Sequence, residues 1–347
     1  MNDILIIDST LRDGSHAIRH QFNAKTIRDY AKGAQKARIP LLVVGHGNGL
    51  GASSLQLGLS KLPDTTMLKI AKSQLKRTRL GAFLIPGFGT IKNDLAPAIK
   101  AGIDALMVAS HCTEANITRQ HIEYGVKEGL EVFGVLMMSH MLNGKELLLQ
   151  AKLMQIYGAR GVILMDSAGA YLPEDVYKKV KLLSGSLKID VGFHAHNNLG
   201  MTIANSAAAV KAGAKIIDAT SRGLGAGAGN CQLEVIVAVL LKMGYKLDLD
   251  VYQLMNNSEK IIAKIMKRPQ EISSVSLTSG LAGVFSGFAP HVRGAAERFG
   301  VDARDILIEL GRRKIVAGQE DIIVDVAANL AQKKKTRGQD NSIEALI

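Results

Sequence analysis

The stretch that decides the fold lies close to the start of the chain and reads Ile4-Leu-Ile-Ile-Asp-Ser-Thr-Leu-Arg-Asp-Gly-Ser-His-Ala-Ile-Arg-His20. Its first four residues are apolar and predict a buried strand. The polar residues follow the end of that predicted strand, before a helical pattern. This loop contains Arg12, Asp13 and His16, which are an electrostatic stabiliser, a hard metal ligand and a candidate base. We expect the rest of the chain to surround the loop.

Short apolar runs alternate with longer amphipathic segments as far as about residue 245. Several of the runs are apolar throughout, as in parallel strands that are buried on both faces. About eight strand–helix units in roughly 250 residues predict a (β/α)₈ TIM barrel, with an open, doubly wound sheet as the alternative. The predicted strands are 4–7, 41–44, 80–85, 105–109, 132–137, 162–165, 190–193 and 215–219, and the predicted helices are 24–37, 65–76, 90–101, 115–128, 143–157, 173–184, 200–212 and 231–243.

The alternation of strand and helix patterns stops after residue 248, beyond which no strand pattern is obvious. Helical patterns cover 250–267, 289–299, 302–312 and 320–335. We therefore divide the chain into a barrel over 1–248 and a helical C-terminal region over 249–347. The last residues, from 338 onward, are expected to be loosely ordered.

Composition and charge argue against several classes of protein. The 347 residues carry a net charge of +12, but the basic residues are spread out and stacking aromatics are few, so a solvated basic surface is favoured over nucleic-acid binding. Two cysteines give no disulfide framework, which suits a reducing compartment. No signal peptide is visible, and no apolar run reaches the length of about 18 residues that a membrane span needs. We expect a cytoplasmic protein with no nucleic-acid or membrane partner.

Histidines concentrate where the chemistry of a barrel is expected. Barrel enzymes carry their active sites in the loops that follow the strands. Seven of the nine histidines fall at or just after predicted strands, which is more than a random scatter over the surface explains. These seven are His16, His20, His46, His111, His140, His194 and His196.

The sequence His194-Ala-His196 is the sharpest local motif. Side chains at positions i and i+2 of a strand point to the same face, so both imidazoles can bind one metal ion. Asp13 is the candidate third ligand. Two histidines and one carboxylate suit a divalent ion of the Mn, Fe, Co or Mg type better than a closed structural zinc site.

Three further loops offer polar groups to the predicted mouth. Asn197 and Asn198 follow the histidines, and each either orients the ligands by hydrogen bonding or caps the next helix. The glycine-rich Gly223–Asn230 segment either binds an anion through backbone N–H groups or forms a tight turn. Ser167, beside Asp166, adds a hydroxyl.

Together these motifs resemble the metal-dependent DRE-TIM lyase and synthase superfamily. Thr10-Leu-Arg-Asp-Gly14 and His194-Ala-His-Asn197 carry the likeness. The chain is most similar to the 4-hydroxy-2-oxovalerate aldolase family, because Ser15-His16 stands where the synthases carry a pair such as Glu-Gln. The further matching segments are Val44–Gly47, Ser110–Glu114, Leu136–Met141, Gly223–Asn230 and Gly318–Asp325.

The resemblance implies a carbon–carbon lyase that cleaves a 4-hydroxy-2-oxo acid to pyruvate and a short aldehyde by a class II retro-aldol reaction. It implies Asp13, His194 and His196 as ligands of a divalent metal, Mn²⁺ first and Co²⁺ or Mg²⁺ otherwise, with no organic cofactor. It also implies an oligomer, and an acylating aldehyde dehydrogenase partner that the helical C-terminal region contacts.

The resemblance also implies the roles of single residues. His16 would take the proton from the 4-hydroxyl group as general base, and Arg12 would stabilise the developing enolate as the second catalytic residue. Ser167 would help to hold the substrate. The residues implied to contact the substrate are Arg12, Asp13, Ser167, His194 and Phe285.

The chain departs from the family pattern at several positions. Phe285 stands in Gly283-Val-Phe-Ser-Gly-Phe288 where the family commonly has Tyr, so no hydroxyl is available there for stereochemical control. Met107 replaces an expected Arg. We expect these changes to cluster at the mouth, as in a divergent paralogue that handles a different aldehyde. The remaining departures are Asn48 and Asn116 in place of acids, and Cys231-Gln232 in place of Ala-Pro.

Two other functions stay open at this point. One is an acyl-CoA-dependent condensing enzyme or lyase of the same superfamily, against which Ser15-His16 argues. The other is a catalytically silent scaffold or anion-binding barrel, which the net charge of +12 suggests. The intact set of Arg12, Asp13 and His16 argues against a silent barrel.

Overall fold

The computed structural model describes residues 4–336, and in them eight parallel strands form a closed barrel. Each strand pairs with its sequence neighbour, and β1 pairs with β8 to close the cylinder. The predicted (β/α)₈ barrel is confirmed, and the alternative of an open sheet is wrong because neither end strand is left unpaired. The strands are β1 (Leu5–Leu11), β2 (Leu41–Val44), β3 (Arg79–Leu84), β4 (Ala105–His111), β5 (Glu131–Met137), β6 (Gly161–Asp166), β7 (Asp190–Ala195) and β8 (Ile216–Ala219).

Helices surround the barrel close to the predicted positions. Local caps explain several boundaries: the Asn23 side chain accepts from the backbone N–H of Thr26, Asn143 forms a capping box with Glu146, and Pro173 occupies the first helical turn. The helices are α1 (Gly14–Ala17), α2 (Ala24–Lys36), α3 (Asp64–Lys72), α4 (Ala96–Lys100), α5 (Arg119–Lys127), α6 (Gly144–Ile156), α7 (Pro173–Ser186), α8 (Thr202–Lys211) and α9 (Leu233–Lys242).

Strand β1 is longer than the predicted strand and includes polar residues that we had placed in the following loop. The carboxylate of Asp8 accepts hydrogen bonds from the Thr10 backbone at 2.9 Å and from the Tyr30 hydroxyl at 2.7 Å. Because these buried polar groups have partners, the strand continues through them. The functional loop therefore begins at Arg12.

The interior of the barrel is a packed core and not a pore. Large apolar side chains from β3, β4, β5 and β6 fill it, among them Phe83, Met107 and Phe133. A second and larger apolar cluster lies between the strands and the surrounding helices. This packing supports the strand ends, where the loops meet.

The C-terminal region is helical, as predicted, but its pieces differ from the prediction. The expected helix over 250–267 is interrupted by a π-helical turn and ends at Ile265. The helix over Ser274–Ala282 was not predicted, because it is rich in serine and contains Gly280; a capping box of Ser273 and Ser276 starts it. The elements are α10 (Val251–Asn257), α11 (Ala263–Ile265), α12 (Ser274–Ala282), α13 (Ala289–Phe299), α14 (Ala303–Arg312) and α15 (Asp321–Thr336).

These helices pack in two ways. Helix α10 lies against α2 and α9 of the barrel wall, whereas α12–α15 pack against one another around a separate apolar cluster. The domain boundary after residue 248 stays a prediction, and the expectation of loose order from residue 338 onward lies outside the described residues. No helix within residues 4–336 is both long and apolar enough to cross a membrane.

Candidate active site and metal centre

The loop after β1 brings Arg12 and Asp13 to the barrel mouth. Their backbone N–H groups both donate to the Ser9 carbonyl, at 3.0 and 2.8 Å, so the chain turns as soon as the strand ends. Arg12 Nη1 donates to Asp13 Oδ2 at 2.8 Å, and both side chains are buried. Within residues 4–336, Arg12 Nε and Nη2 have no hydrogen-bond partner. The guanidinium therefore has free donors for an anionic ligand.

The structure brings the three predicted metal ligands together. One ligand atom each from Asp13, His194 and His196 lies within 4.8 Å of the other two, and all three residues are buried. Asp13 Oδ2 is 3.4 Å from His194 Nε2 and 3.9 Å from His196 Nε2. His194 is the second-last residue of β7, and His196 directly follows the strand. The two histidines are therefore two positions apart, the spacing that the strand alternation requires for one shared face.

Asp218 on β8 orients the first of these histidines, and our sequence interpretation did not single it out. Its Oδ2 is 2.8 Å from His194 Nδ1. The Nδ1–H therefore donates to Asp218, and Nε2 faces Asp13. Asp218 is fully buried and is also 3.7 Å from Arg12 Nη2. The sequence feature that could have identified Asp218 is a carboxylate within an otherwise apolar strand.

Burial and neighbouring charges set the protonation of the ligands. Burial raises the pKa of Asp13, but Arg12 and the two histidines hold it well below its usual value. Burial lowers the pKa of His194, but the carboxylates of Asp218 and Asp13 outweigh this effect and raise it to about 9. Burial lowers the pKa of His196 to about 4. His194 therefore carries a proton that a bound cation would displace.

The glycine-rich loop after β8 packs over the ligands. The Ala226 backbone N–H donates to Asp13 Oδ1 at 3.4 Å, and the loop closes on itself through the Asn230 N–H to the Gly223 carbonyl at 2.9 Å. The Asn230 carboxamide lies 3.3 Å from His194 Nε2, and its buried Oδ1 has no partner in the described part of the chain. The Asp13 carboxylate and the two imidazoles fit a divalent ion.

A small cavity of about 30 Å³ lies beside these residues. Arg12, Asp13, His16 and His196 line its polar wall, while His194 lies behind them. His16 is half-buried, and burial lowers its pKa, so its imidazole is neutral at pH 7 and able to accept a proton. The apolar wall consists of Phe83, Ile85, Phe88, Met137, Met165 and Phe285.

A larger cavity of about 1080 Å³, the vestibule, adjoins the small one and separates the barrel mouth from the C-terminal helices. Phe285 and Glu320, both from the C-terminal region, line the two cavities together with His16 and Asn48. The C-terminal region therefore completes the site. No sequence pattern around Glu320 indicates a role for it, since nothing local shows that it reaches the barrel mouth.

Two predicted polar residues serve the scaffold around the site. Ser167 is fully buried outside the lining of both cavities, and its Oγ accepts from the Met138 N–H at 3.0 Å. Asn198 does not cap α8; its carboxamide donates to the Ala168 carbonyl and to Ser286 Oγ, both at 2.8 Å. The predicted contact of Ser167 with substrate stays a prediction.

The other departures from the family pattern do not cluster at the mouth, and our expectation that they would is wrong. Met107 is buried in the barrel interior, Asn116 is exposed but lines neither cavity, and Cys231 is buried with its Sγ 3.3 Å from Ser206 Oγ. Only Asn48 and Phe285, of the positions named, line a cavity. Met107 is the third residue of β4 (Ala105–His111), so it lies well before the end of the strand that faces the mouth.

Comparison with known proteins agrees with this geometry. Residues 3–261 match the HMGL-like family, and residues 270–332 match the DmpG-like communication domain. The 4-hydroxy-2-oxovalerate aldolase of Spirochaeta aurantia is 51% identical over 335 residues, covering 96% of this chain and 97% of that protein. The 4-hydroxy-2-oxovalerate aldolase of Pectobacterium atrosepticum is 48% identical over 341 residues, 98% of each chain.

A solved structure supports the fold alone. The carboxyl transferase domain from Rhizobium etli pyruvate carboxylase, solved with pyruvate and biocytin, superposes with a TM-score of 0.82 at 17% identity, covering 96% of this chain and 61% of that one. The curated relatives are similar enough over nearly the full chain to decide the family. This chain therefore belongs to the 4-hydroxy-2-oxovalerate aldolase family of HMGL-like barrels, and it is a carbon–carbon lyase.

Proposed function

We propose that the chain is a divalent-metal-dependent class II aldolase that cleaves a 4-hydroxy-2-oxo acid, such as 4-hydroxy-2-oxopentanoate, to pyruvate and a short aldehyde, such as acetaldehyde, or catalyses the reverse addition. The single observation that carries the proposal is the polar wall of the small cavity. There a buried guanidinium with free donors, a neutral imidazole and two of the three candidate metal ligands meet.

Asp13, His194 and His196 are the residues that would hold the metal, with Mn²⁺ first and Co²⁺ or Mg²⁺ as alternatives. Anionic Asp13 and neutral His196 are ready to bind a cation, and Asp218 orients His194. When bound, the ion supplies a Lewis acid beside the 2-oxo group of the substrate. As residues that would hold this ion, Asp13 and His194 would help to bind the substrate.

The protein groups account for the proton and the charge. His16 accepts the proton of the 4-hydroxyl group, and that oxygen's electron pair forms the carbonyl of the departing aldehyde. The C3–C4 bond breaks, and its electrons form the enolate of pyruvate. The free donors of Arg12 stabilise the enolate oxygen. The proton that His16 accepted then returns to C3 of the enolate, directly or through solvent, which completes pyruvate and restores the neutral base.

The aldehyde portion would lie against the apolar wall of the cavity. Phe285 belongs to this wall and has no group that could donate a hydrogen bond to the 4-hydroxyl group. The centroid of the Phe83 ring is 4.4 Å from Arg12 Cζ. Phe83 therefore belongs to the apolar wall and also contacts the guanidinium. This arrangement favours short, uncharged aldehydes.

The test is release of pyruvate from racemic 4-hydroxy-2-oxopentanoate, coupled to lactate dehydrogenase, with Mn²⁺ added or chelated away. We expect metal-dependent release in the wild type, and a loss of at least about 100-fold in Asp13→Asn and His16→Asn, since a positioned general base contributes at least this much. His121→Asn, at a histidine on α5 that lines neither cavity, is the matched control. Metal binding without any pyruvate release would reject the aldolase.

The match of residues 270–332 to a communication domain supports an acylating aldehyde dehydrogenase as partner. Helix α12 exposes Leu277 and Leu281, which offer an apolar face for such contact. In size-exclusion chromatography with a purified acylating aldehyde dehydrogenase, we expect co-elution that Leu281→Asp weakens. Leu149→Asp, an equally exposed position on α6, should leave co-elution intact. Equal loss in both variants would argue against this surface.

A further inference from the structure

Two further histidines, His20 and His46, are packed next to His16, which itself lies in the polar wall of the small cavity. The ring of His20 stacks on that of His46 with centroids 3.7 Å apart and planes inclined by 16°. The ring of His16 meets His20 edge-on, with centroids 5.1 Å apart. His20 and His46 do not line the small cavity. Since neither can reach the reacting atoms there, their packing needs another explanation.

Gly47 is the contact surface for His16. A Cβ atom built on Gly47 would lie 2.4 Å from His16 Nε2 and 2.6 Å from two ring carbons. The ring of the candidate base therefore rests directly on the Gly47 backbone. The Gly47 carbonyl also accepts from Arg12 Nη1 at 3.5 Å. The position of Gly47 thus sets the position of the His16 ring, whereas the 2.8 Å bond to Asp13 holds Arg12.

His20 and His46 in turn fix Gly47. The Gly47 N–H donates to His20 Nδ1 at 3.4 Å. His46 Nδ1 accepts from the Asn48 N–H at 3.1 Å, so Nε2 carries the hydrogen and donates to the Gly58 carbonyl at 3.0 Å. Burial lowers the pKa of His20 to about 2 and of His46 to about 4. Both rings are therefore neutral at pH 7 and stack without charge repulsion.

The backbone accepts strain to place His20 there. Arg19 and His20 have φ values of 53° and 60°, in the left-handed region that is unfavourable for L-residues. Two consecutive residues in this region persist only where the surroundings over-determine them. The strain is consistent with a requirement for the His20 ring at this exact place.

The outer side of the stack is closed by the loop over residues 54–58. Gly58 lies so close to His20 that a Cβ there would be 2.7 Å from His20 Cδ2. The loop is anchored at its tip, where Gln56 Nε2 donates to Glu320 Oε2 at 3.1 Å. The C-terminal region therefore supports the stack from the vestibule side.

We infer that His20, stacked on His46, is a positioning residue that sets the ring of the base His16 through Gly47. The inference rests on the proposed aldolase function. A base displaced by about 1 Å can lose about 100-fold in rate, whereas the metal ligands and Arg12 would keep their own hydrogen bonds. The signature is thus a loss of kcat without a loss of ligand binding.

The experiment compares His20→Ala with His20→Asn in the full chain. Asn supplies an oxygen acceptor for the Gly47 N–H and tolerates left-handed backbone. We expect His20→Ala to lower kcat about 10- to 100-fold and His20→Asn to recover most of that loss. KM, the Mn²⁺ dissociation constant and inhibition by oxalate, a planar analogue of the enolate, should change less than about threefold in both. His121→Ala on α5 is the control.

Several outcomes would overturn the inference. An unchanged kcat in His20→Ala would do so, as would a parallel loss of Mn²⁺ and oxalate binding, which a merely structural role predicts. If His20→Ala does not fold, His20→Gly gives the same test, because glycine adopts the left-handed backbone of this position without strain and also removes the ring; an unchanged kcat there rejects the inference. Absence of pyruvate release by the wild type would instead reject the proposed function.

Discussion

At the scale of single residues, the site is governed by charges that are buried together. Arg12, Asp13 and His194 lie within hydrogen-bonding or ion-pairing distance of one another or of Asp218. Burying such charges is costly unless each has a partner. Here every carboxylate faces a cation or a protonated imidazole. A bound divalent ion would replace the His194 proton as the positive charge that faces these carboxylates.

The pH dependence of metal binding follows from His194. With a pKa of about 9, its ring holds a proton at pH 7 that must leave before Nε2 can bind a metal. We expect Mn²⁺ affinity to rise with pH up to about pH 9, and about one proton to be released per Mn²⁺ at pH 7. Calorimetry in two buffers of different ionisation enthalpy measures this release.

Asp218→Asn is the informative variant for this prediction. Removing the carboxylate beside Nδ1 lowers the His194 pKa, so proton release at pH 7 should fall. Affinity should also fall, by about 10- to 100-fold, because the ring loses the partner that orients it. Asp190→Asn, at the opposite end of β7, should behave as wild type. Proton release that is absent in the wild type would contradict the protonation assigned to His194.

Phe285 leads to a prediction about stereochemistry. Its ring lines the cavity but offers no hydrogen bond to the 4-hydroxyl group. We expect the enzyme to consume both enantiomers of 4-hydroxy-2-oxopentanoate at rates within about tenfold, since one hydrogen bond is worth about 1 kcal/mol. Pyruvate yield from a limiting racemic substrate measures this. A yield that stops at half of the substrate would show that other groups select the enantiomer.

At the scale of elements, one segment ties the C-terminal helices to the barrel. The Gly283–Phe288 segment, which carries Phe285, is bonded to the loops after three strands. The His140 ring is 3.1 Å from the Gly283 carbonyl, the Ser286 N–H donates to the Ser167 carbonyl at 2.9 Å, and Asn198 donates to Ser286 Oγ. This anchoring explains why a residue of the C-terminal region stands in the site.

Asn198→Ala tests the importance of this anchor. The substitution leaves three buried groups without their partner: the Ala168 carbonyl, the Ser286 hydroxyl and the Ala228 N–H. We expect the free energy of unfolding to fall by about 3 kcal/mol, at roughly 1 kcal/mol for each group. Urea unfolding measures the change. Asn197→Ala, beside it but only half-buried, should cost less than about 1 kcal/mol; an equal loss in both would refute the anchor.

At the scale of the whole molecule, barrel closure brings the three candidate metal ligands together. Asp13 follows β1, whereas His194 and His196 belong to the end of β7, and the pairing of β1 and β7 with β8 brings them to one point. Residues about 180 positions apart thus become neighbours. A ligand that bridges them stabilises the closed barrel as a whole.

Metal should therefore raise global stability. Mn²⁺ at 100 times its dissociation constant is expected to add about 2.7 kcal/mol to the free energy of unfolding. Circular dichroism during urea unfolding, with Mn²⁺ or with a chelator, measures this gain; the chain contains no tryptophan to report by fluorescence. Asp13→Asn should show no gain. A similar gain in that variant would place the stabilising ion elsewhere.

Much of this protein could be predicted from the sequence. Uniformly apolar runs separated by amphipathic helices identify parallel strands that are buried on both faces, and their number and spacing indicate a closed barrel. The alternation of β7 places His194 and His196 on one face, and Asp13 follows the first strand at the same end. These features are local in the chain, so residue type and spacing suffice to reveal them.

Only the tertiary structure decided which distant groups meet. Asp218 behind His194, the stack of His20 and His46, and the reach of Glu320 into the mouth all depend on how loops of different strands pack. The same holds for Met107, which the pattern placed near the mouth and the packing buries below it. Hydrophobic periodicity predicts which face of an element a side chain lies on. The depth of that side chain in the barrel and the residues it contacts depend on barrel closure and on the helices packed across the barrel mouth.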